Sequence, residues 1–107
     1  MIKVIFFVSQ SGDLLGFNIT GHSELEDFGQ DILCAAVSSA SYLTANTITD
    51  VIGANARVSV DEFGLMDLKI DANESYRCRE ILSGFKIHVL NLEEQYPKNI
   101  NVNYTEV

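Results

Sequence analysis

The sequence predicts an α+β domain built as a two-layer sandwich, in which about five strands form a mixed or antiparallel sheet and two long helices cover one face. Three observations predict it. The chain has 107 residues, the size of one domain, so we assign 1–107 to a single domain. Five short segments are rich in branched and aromatic residues, and two longer segments repeat apolar residues at helical spacing. Their order is strand, strand, helix, strand, strand, helix, strand.

The chain is expected to open with a β-hairpin. Residues 2–8 and 14–20 have strand composition, and the sequence Gln10-Ser11-Gly12-Asp13 between them has turn composition. A long helix is then predicted over 32–52, with Asp31 as its N-cap and its end at Gly53. Small residues among its apolar positions would let it approach a sheet closely. These apolar positions are Leu33, Ala36, Val37, Ala40, Leu43, Ile48 and Val51.

The second half of the chain repeats the strand, strand, helix order. Residues 56–60 and 65–70 are predicted strands joined by the turn Asp61-Glu62-Phe63-Gly64. A second amphipathic helix is predicted from about Glu74 until Pro97 stops it. Its apolar stripe is Ile81, Leu82, Phe85, Val89, Leu92 and Tyr96. A short last strand with one wet face follows, because Ile100, Val102 and Tyr104 alternate with asparagines.

Charge and hydropathy exclude several classes of function. Seven Lys and Arg residues against fifteen Asp and Glu residues give a net charge of -8, which argues against direct nucleic-acid binding and favours a basic peptide or protein partner. The N-terminal apolar run, residues 4–8, is far too short to span a membrane, which takes roughly 20 residues. The run leads directly into Ser9 and Gln10, unlike a secretory signal, so we expect a cytoplasmic protein that does not span a membrane.

The two cysteines direct attention to one stretch of the chain. Cys34 and Cys78 form no CxxC pair, so neither a disulfide framework nor a standard zinc site is predicted, and no cofactor is implied. If Asp31 caps the first helix, Cys34 lies in its first turn, where the positive end of the helix dipole favours a thiolate nucleophile. His22 would stand at the end of the second strand and supply an adjacent imidazole base.

Simpler interpretations of these residues remain open at this point. Cys34 could be a small core residue, Asp31 a plain helix cap, and His22 a surface residue. Cys78 lies on the apolar stripe of the second helix and is expected in the core, and His88 on that helix is expected to be structural. A metal site made from His22, Cys34 and a loop acid is disfavoured, because no fourth ligand is evident.

The stretch from Gly21 to Ser38 resembles the signature of the ribosomal-processing cysteine proteases, the Prp family. The shared pattern is Gly21-His22-Ser23, a short variable loop, and then Gly29, one residue and Asp31-Ile32-Leu33-Cys34-Ala35-Ala36-Val37-Ser38. Chain length, element order and the Asn-Ile-Asn-Val-Asn-Tyr ending at 99–104 are similar as well. One departure is Ser23, where the family usually has alanine.

The resemblance implies a cytoplasmic cysteine endopeptidase that removes the N-terminal extension of large-subunit ribosomal protein twenty-seven. It implies Cys34 as nucleophile, His22 as general base and acid, and Asp31 as an assisting residue. Ser38 would contact substrate or order the site. The resemblance also suggests a homodimer. The competing hypothesis is a non-catalytic, ribosome-associated module that binds a basic protein tail.

The loop from Gly21 to Gly29 is expected to be a lid over the substrate. Two hinge-permissive glycines bracket it, which makes both candidates for the substrate-binding site. Its apolar residues, Phe28 among them, would cover substrate side chains. Its three acids, Glu24, Glu26 and Asp27, would attract a basic peptide.

Overall fold

A computed structural model describes residues 1–21 and 28–107, with the side chains of 28–31 left out of the description. The strands are β1 (Ile2–Val8), β2 (Leu14–Thr20), β3 (Ala56–Val60), β4 (Met66–Ile70) and β5 (Ile100–Glu106). The long helices are α1 (Phe28–Asn46) and α2 (Ser75–Gln95). A π-helical segment, Thr47–Ile52, continues α1, and a 3-10 turn, Ala72–Glu74, leads into α2. The predicted order of strands and helices is confirmed.

The five strands form one mixed sheet in the order β3-β4-β2-β1-β5. Three neighbouring pairs are antiparallel, and β5 runs parallel to β1. The parallel pair arises because α2 carries the chain back along the sheet before β5 begins, as a crossover connection requires. The last strand is longer than expected, with seven residues, although the predicted alternation holds at its start, where Ile100 and Val102 are buried and Asn103 is exposed.

Both helices pack against one face of the sheet, as predicted. The register places Val4 of β1 opposite Ile19 of β2 and Phe6 opposite Phe17, and all four side chains are buried. From α2, Phe85 lies over this face, with its ring centre 4.5 Å from that of Phe17. Alternate side chains of the strands and the side chains on one face of α2 therefore pack together in one core.

The first helix begins earlier than predicted, at Phe28, and Asp31 therefore lies within it and is not its N-cap. Gly29 belongs to α1 as well, so it is not the far end of the loop. The spacing from Phe28 to Ile32 continues the helical apolar pattern one turn upstream. Glycine costs roughly 0.5–1 kcal/mol relative to alanine in the middle of a helix, and a helix packed on a core tolerates such a cost.

The C-terminal part of the predicted helix has π-helical geometry over Thr47–Ile52 and ends at Gly53, whose φ of 72° is left-handed. Three threonine hydroxyls upstream and within it donate to carbonyls four residues back, an interaction that disturbs regular helix geometry. The π turn shifts the helical phase, and Val51, predicted on the buried stripe, is exposed. Leu43 is exposed too, because it lies at the edge of α1 that faces α2.

Two carboxylates, one just before α2 and one near its end, connect this helix to other parts of the fold. The Glu74 carboxylate accepts the backbone N–H of Asn55 and pairs with Arg77 at 2.8 Å, and Arg77 also donates to the Ile52 carbonyl. Near the other end of α2, Glu93 accepts the backbone N–H of Val102 in β5 at 2.7 Å. Within the described residues, no helix is long and apolar enough to cross a membrane.

Candidate active site

The two cysteines lie in opposite environments. Cys34 is half-buried on α1, with one side packed against the core, whereas Cys78 of α2 is fully buried. Burial raises the pKa of the Cys78 thiol, and the nearby Glu74 carboxylate raises it further. The prediction that Cys78 is a core residue is confirmed. Only Cys34 combines a thiol with access from solvent, which a nucleophile requires.

Cys34 is the seventh residue of α1 and not, as expected, a first-turn residue. The effect of the helix dipole is concentrated in the first turn, so its support for a thiolate is weaker at this position than the sequence suggested. The backbone N–H of Cys34 belongs to the internal hydrogen bonds of the helix. The N–H groups without intrahelical partners are the first four of the helix, at 28–31, one turn upstream of the thiol.

The edge of α1 that carries Cys34 also carries Ser38 and Tyr42, each one helical turn further along. Ser38 is half-buried, and its backbone carbonyl accepts a hydrogen bond from the buried Ser41 hydroxyl at 2.9 Å. The Tyr42 hydroxyl lies 3.9 Å from the position a Cβ would take on Gly64, in the turn between β3 and β4. The Tyr42 end of this row therefore lies next to the turn between β3 and β4.

Several candidate residues cannot be placed by their side chains. His22 and the loop acids Glu24, Glu26 and Asp27 lie outside the described residues, so the predicted base and most of the predicted lid are untested. For Phe28, Gly29 and Asp31 only their place in α1 is described. Asp31 stands three residues before Cys34, a spacing that puts the two on one side of the helix.

Gly21 is placed at the end of β2 with a φ of 76°. A Cβ on this residue would come within 2.1 Å of the Met1 carbonyl oxygen, so only glycine fits here. This close approach fixes the point from which the chain leaves the sheet toward His22. Steric necessity alone therefore accounts for a glycine at this position.

His88 lies apart from the Cys34 edge. It is exposed on α2 and lines a groove of about 410 Å³ between the two helices, together with Ala36, Ala40, Leu43 and Gly84 among others. The sequence pattern does not predict this groove, although the small residues on both helices are a signal for it. Within the described part of the chain, no cluster of three or more His, Cys, Asp and Glu side chains is arranged to hold a metal ion.

A thiol hydrolase needs an accessible cysteine as its nucleophile, and Cys34 on the first helix of a two-layer α+β sandwich meets that requirement. The fold and the thiol therefore fit the class of thiol hydrolases. Comparison with known protein families then identifies the family within this class. The family model described as Cysteine protease Prp matches residues 1–101, and the chain belongs to that family. The resemblance noted in the sequence is confirmed.

Relatives and solved structures are similar over nearly the whole chain. The ribosomal processing cysteine protease Prp of Staphylococcus aureus is 26% identical, covering 97% of this chain and 99% of its own length. The protein of the same name from Bacillus subtilis is 22% identical, covering 95% and 96%. The crystal structure of the S. aureus protease in complex with a substrate peptide superposes with a TM-score of 0.87 at 24% identity, covering 98% of this chain and all of that one. SMU.848 from Streptococcus mutans superposes with a TM-score of 0.83 at 26% identity, covering all of this chain and 96% of that one.

Proposed function

We propose that this cysteine protease acts in the cytoplasm as an endopeptidase that removes the N-terminal extension of large-subunit ribosomal protein twenty-seven, with Cys34 as its nucleophile. The observation that carries the proposal is the contrast between the half-buried Cys34 and the fully buried Cys78. Membership of the Prp family and relatives named for ribosomal processing support the choice of substrate. The solved S. aureus protease that binds a substrate peptide supports a peptide ligand.

The proposed reaction proceeds through an acyl-enzyme. His22 takes the proton of the Cys34 thiol, and the thiolate attacks the scissile carbonyl carbon. As the C–N bond breaks, His22 gives that proton to the leaving amine, and a thioester remains on Cys34. Water then attacks the thioester with His22 as the base, which releases the new carboxyl terminus and returns the thiol. Free N–H groups at the start of α1 are candidates to stabilise the oxyanion.

Other residues of the site have supporting roles in the proposal. Asp31, one helical turn before Cys34, orients or stabilises His22, since a carboxylate near an imidazole favours its protonated form. Ser38, one turn after Cys34 and half-buried, contacts substrate. The loop that starts at Gly21, together with Gly29 and Phe28 at the start of α1, borders the bound peptide.

The net charge of -8 suits a substrate with a basic N-terminal region. It also makes direct nucleic-acid binding unfavourable, because phosphate contacts need a cationic surface. By resemblance to the family, the proposal includes a homodimer as the working assembly. Sedimentation velocity measures this directly, and a monomer at micromolar concentration would remove that part of the proposal.

The test is cleavage of a synthetic peptide that spans the N-terminal region of the host's ribosomal protein twenty-seven, followed by mass spectrometry. Wild-type protein should cut at one internal bond, and a trapped acyl-enzyme should carry its added mass on the tryptic peptide containing Cys34. Cys34→Ala should bind the peptide without cutting it. Binding without cleavage by wild-type protein would instead favour the non-catalytic module for a basic tail.

A further inference from the structure

A cavity lies where the π-helical end of the first helix meets the start of the second. Its volume is about 400 Å³, and it is bordered by Thr47 and Ile52 on one side and by the first turns of α2 on the other. Small-molecule sites have volumes of roughly 300–1,000 Å³. We name this space the helix-junction cavity. The proposed peptidase reaction does not use it, because Cys34 lies about 20 Å away along the helix axis.

One wall of the cavity has an uncommon backbone geometry and is held in place by side chains. Helices of the π type are rare and occur frequently at functional sites. Here the π-helical segment begins at Thr47 and ends at Ile52, and both residues border the cavity. Arg77 of α2 donates to the Ile52 carbonyl and pairs with Glu74, which in turn accepts the Asn55 N–H. Because these contacts fix the wall before a ligand arrives, less entropy is lost on binding.

Two arginines border the helix-junction cavity, Arg77 and Arg79. A guanidinium has five N–H donors, and the contacts of Arg77 with Glu74 and Ile52 use only two of them. The Arg77 side chain is 48% exposed. In the part of the chain that the structure describes, Arg79 has no carboxylate partner and lies over the Tyr76 ring, 5.2 Å from its centre. Guanidinium groups bind phosphate oxygens through paired hydrogen bonds, so the two arginines can hold a phosphate.

The cavity also carries an aromatic ring and hydrogen-bond acceptors. Tyr76 is 78% exposed, and an exposed ring beside an arginine is a surface on which nucleobases stack. Glu80 borders the cavity too, and its carboxylate can accept hydrogen bonds from ribose hydroxyls or base N–H groups. The Thr47 hydroxyl donates to the Leu43 carbonyl at 2.8 Å, which leaves its oxygen able to accept. A bare anion would be repelled by Glu80, whereas a ligand with a phosphate, a flat base and hydrogen-bond donors fits all these groups.

We propose that the helix-junction cavity binds a mononucleotide, with its base against Tyr76, its phosphate on Arg77 and Arg79, and its donor groups toward Glu80. A single nucleotide is favoured over an RNA strand, because a net charge of -8 does not suit the extended phosphate contacts of a strand. The inference does not depend on the proposed function, since no peptidase residue takes part. An acidic peptide is the main competing ligand, because it offers carboxylates to the arginines but no base to Tyr76.

The experiment is a calorimetric titration of the full-length protein at low salt with AMP, GMP, CMP and UMP. Inorganic phosphate, the free nucleosides and tetraglutamate are titrated in parallel. The protein variants are Tyr76→Ala, Tyr76→Phe and Arg79→Gln. Lys86→Gln is the matched control, because Lys86 also lies over a tyrosine ring, that of Tyr104, at the same 5.2 Å. Arg77 is left in place because it also fastens Ile52, and thermal unfolding shows that each variant is folded.

At least one nucleotide should bind with one site per chain, more tightly than phosphate or its nucleoside alone. Tyr76→Ala should weaken that binding by about 5- to 100-fold, the range for loss of one base-stacking contact, and Tyr76→Phe should retain it. Arg79→Gln should weaken it by about tenfold or more and reduce its dependence on salt. Lys86→Gln should match wild type. Peptide cleavage without nucleotide should be unchanged in Tyr76→Ala, because the cavity is remote from Cys34.

Four outcomes overturn the inference. The first is no saturable binding at about 10 mM nucleotide, tenfold above a millimolar Kd. The second is nucleotide binding that Tyr76→Ala leaves unchanged or that phosphate alone equals, which would indicate a simple anion site. The third is tighter binding of tetraglutamate than of every nucleotide, and the fourth is an equal loss for Lys86→Gln and Arg79→Gln. None of these measurements requires peptide cleavage, so failure of the inference and failure of the proposed function are distinguishable.

Discussion

The Glu74 carboxylate accepts the backbone N–H of Asn55 at 2.5 Å, across nineteen positions of sequence. The same carboxylate pairs with Arg77, which also holds the Ile52 carbonyl. Together these contacts fasten the end of the π-helical segment and the start of β3 to the beginning of α2. Glu74 is buried, although sequence patterning marks it only as the first residue of a helix.

This arrangement predicts a stability that depends on acid pH. The Asn55 N–H, and then Arg77, hold the pKa of Glu74 below its ordinary value of 4.5. A group with a lowered pKa in the folded state stabilises the fold above its unfolded value, and that contribution disappears as pH falls through the lowered value. Glu74→Gln should therefore lower Tm at pH 7, and its difference from wild type should shrink steadily below about pH 4.5. Glu80→Gln on the exposed side of α2 is the control, and an equal profile for both variants would contradict the assignment.

Thiol labelling should separate the two cysteines. In the native protein iodoacetamide should modify Cys34 readily and Cys78 more slowly by on the order of 100-fold or more, because Cys78 reacts only when the core opens. Peptide mapping identifies the labelled site. Cys78→Ala should keep peptidase activity, whereas Cys34→Ala should lose it. Equal labelling of both thiols, or an active Cys34→Ala protein, would remove the basis for choosing Cys34.

Replacing Asp31 tests a positioning role. Since Asp31 lies inside α1 and does not cap it, Asp31→Asn should leave stability nearly unchanged, because the two residues have similar helix propensity. If the carboxylate supports His22, kcat should fall by about tenfold or more, and the pH dependence of kcat should shift as the imidazole loses its neighbouring charge. An unchanged pH profile with full activity would leave Asp31 without a part in the reaction.

Gly16 should be among the least replaceable residues of the sheet. Its φ is 147°, and a Cβ there would come within 2.0 Å of the Leu68 carbonyl oxygen in β4. Gly16→Ala should therefore destabilise the fold by more than about 3 kcal/mol. Gly84→Ala is the matched contrast, because no atom lies within 4 Å of its Cβ position in α2, and it should stabilise by about 0.5–1 kcal/mol. Urea denaturation measures both, and similar losses for the two variants would contradict this account.

Local patterns predicted most of the fold because the side-chain periods of strands and helices are local properties. The bounds of β1, β2 and β3 agree with the sequence prediction, and α2 begins and ends within two residues of it. The start of α1 was misplaced, because Asp31 has the composition of a cap and Gly29 that of a loop end. Tertiary packing decides at which residue such a helix begins. Because α1 begins about one turn earlier than predicted, Cys34 lies outside its first turn.

Some features of the candidate site can likewise be predicted from the sequence, and others depend on the tertiary structure. The motif around Cys34 and the family it resembles are readable from consecutive residues, as is the burial of Cys78 on an apolar stripe. The approach of Tyr42 to Gly64 is not readable, since twenty-two positions separate them and no periodicity links a helix edge to a distant turn. The same holds for the exposed valines of β3, whose alternation resembles that of any half-buried strand.

The sequence by itself determined the order of strands and helices, the burial of Cys78, and the resemblance to a peptidase family. These follow from residue type and short-range spacing, which act within one turn of helix or one pair of strand positions. Only the tertiary structure decided that β5 lies parallel beside β1, that Glu74 accepts the Asn55 N–H, and that Tyr42 lies beside the β3–β4 turn. Those relationships depend on how residues far apart in the sequence pack against one another. Local patterns do not specify that packing, because it depends on all the elements of the fold together.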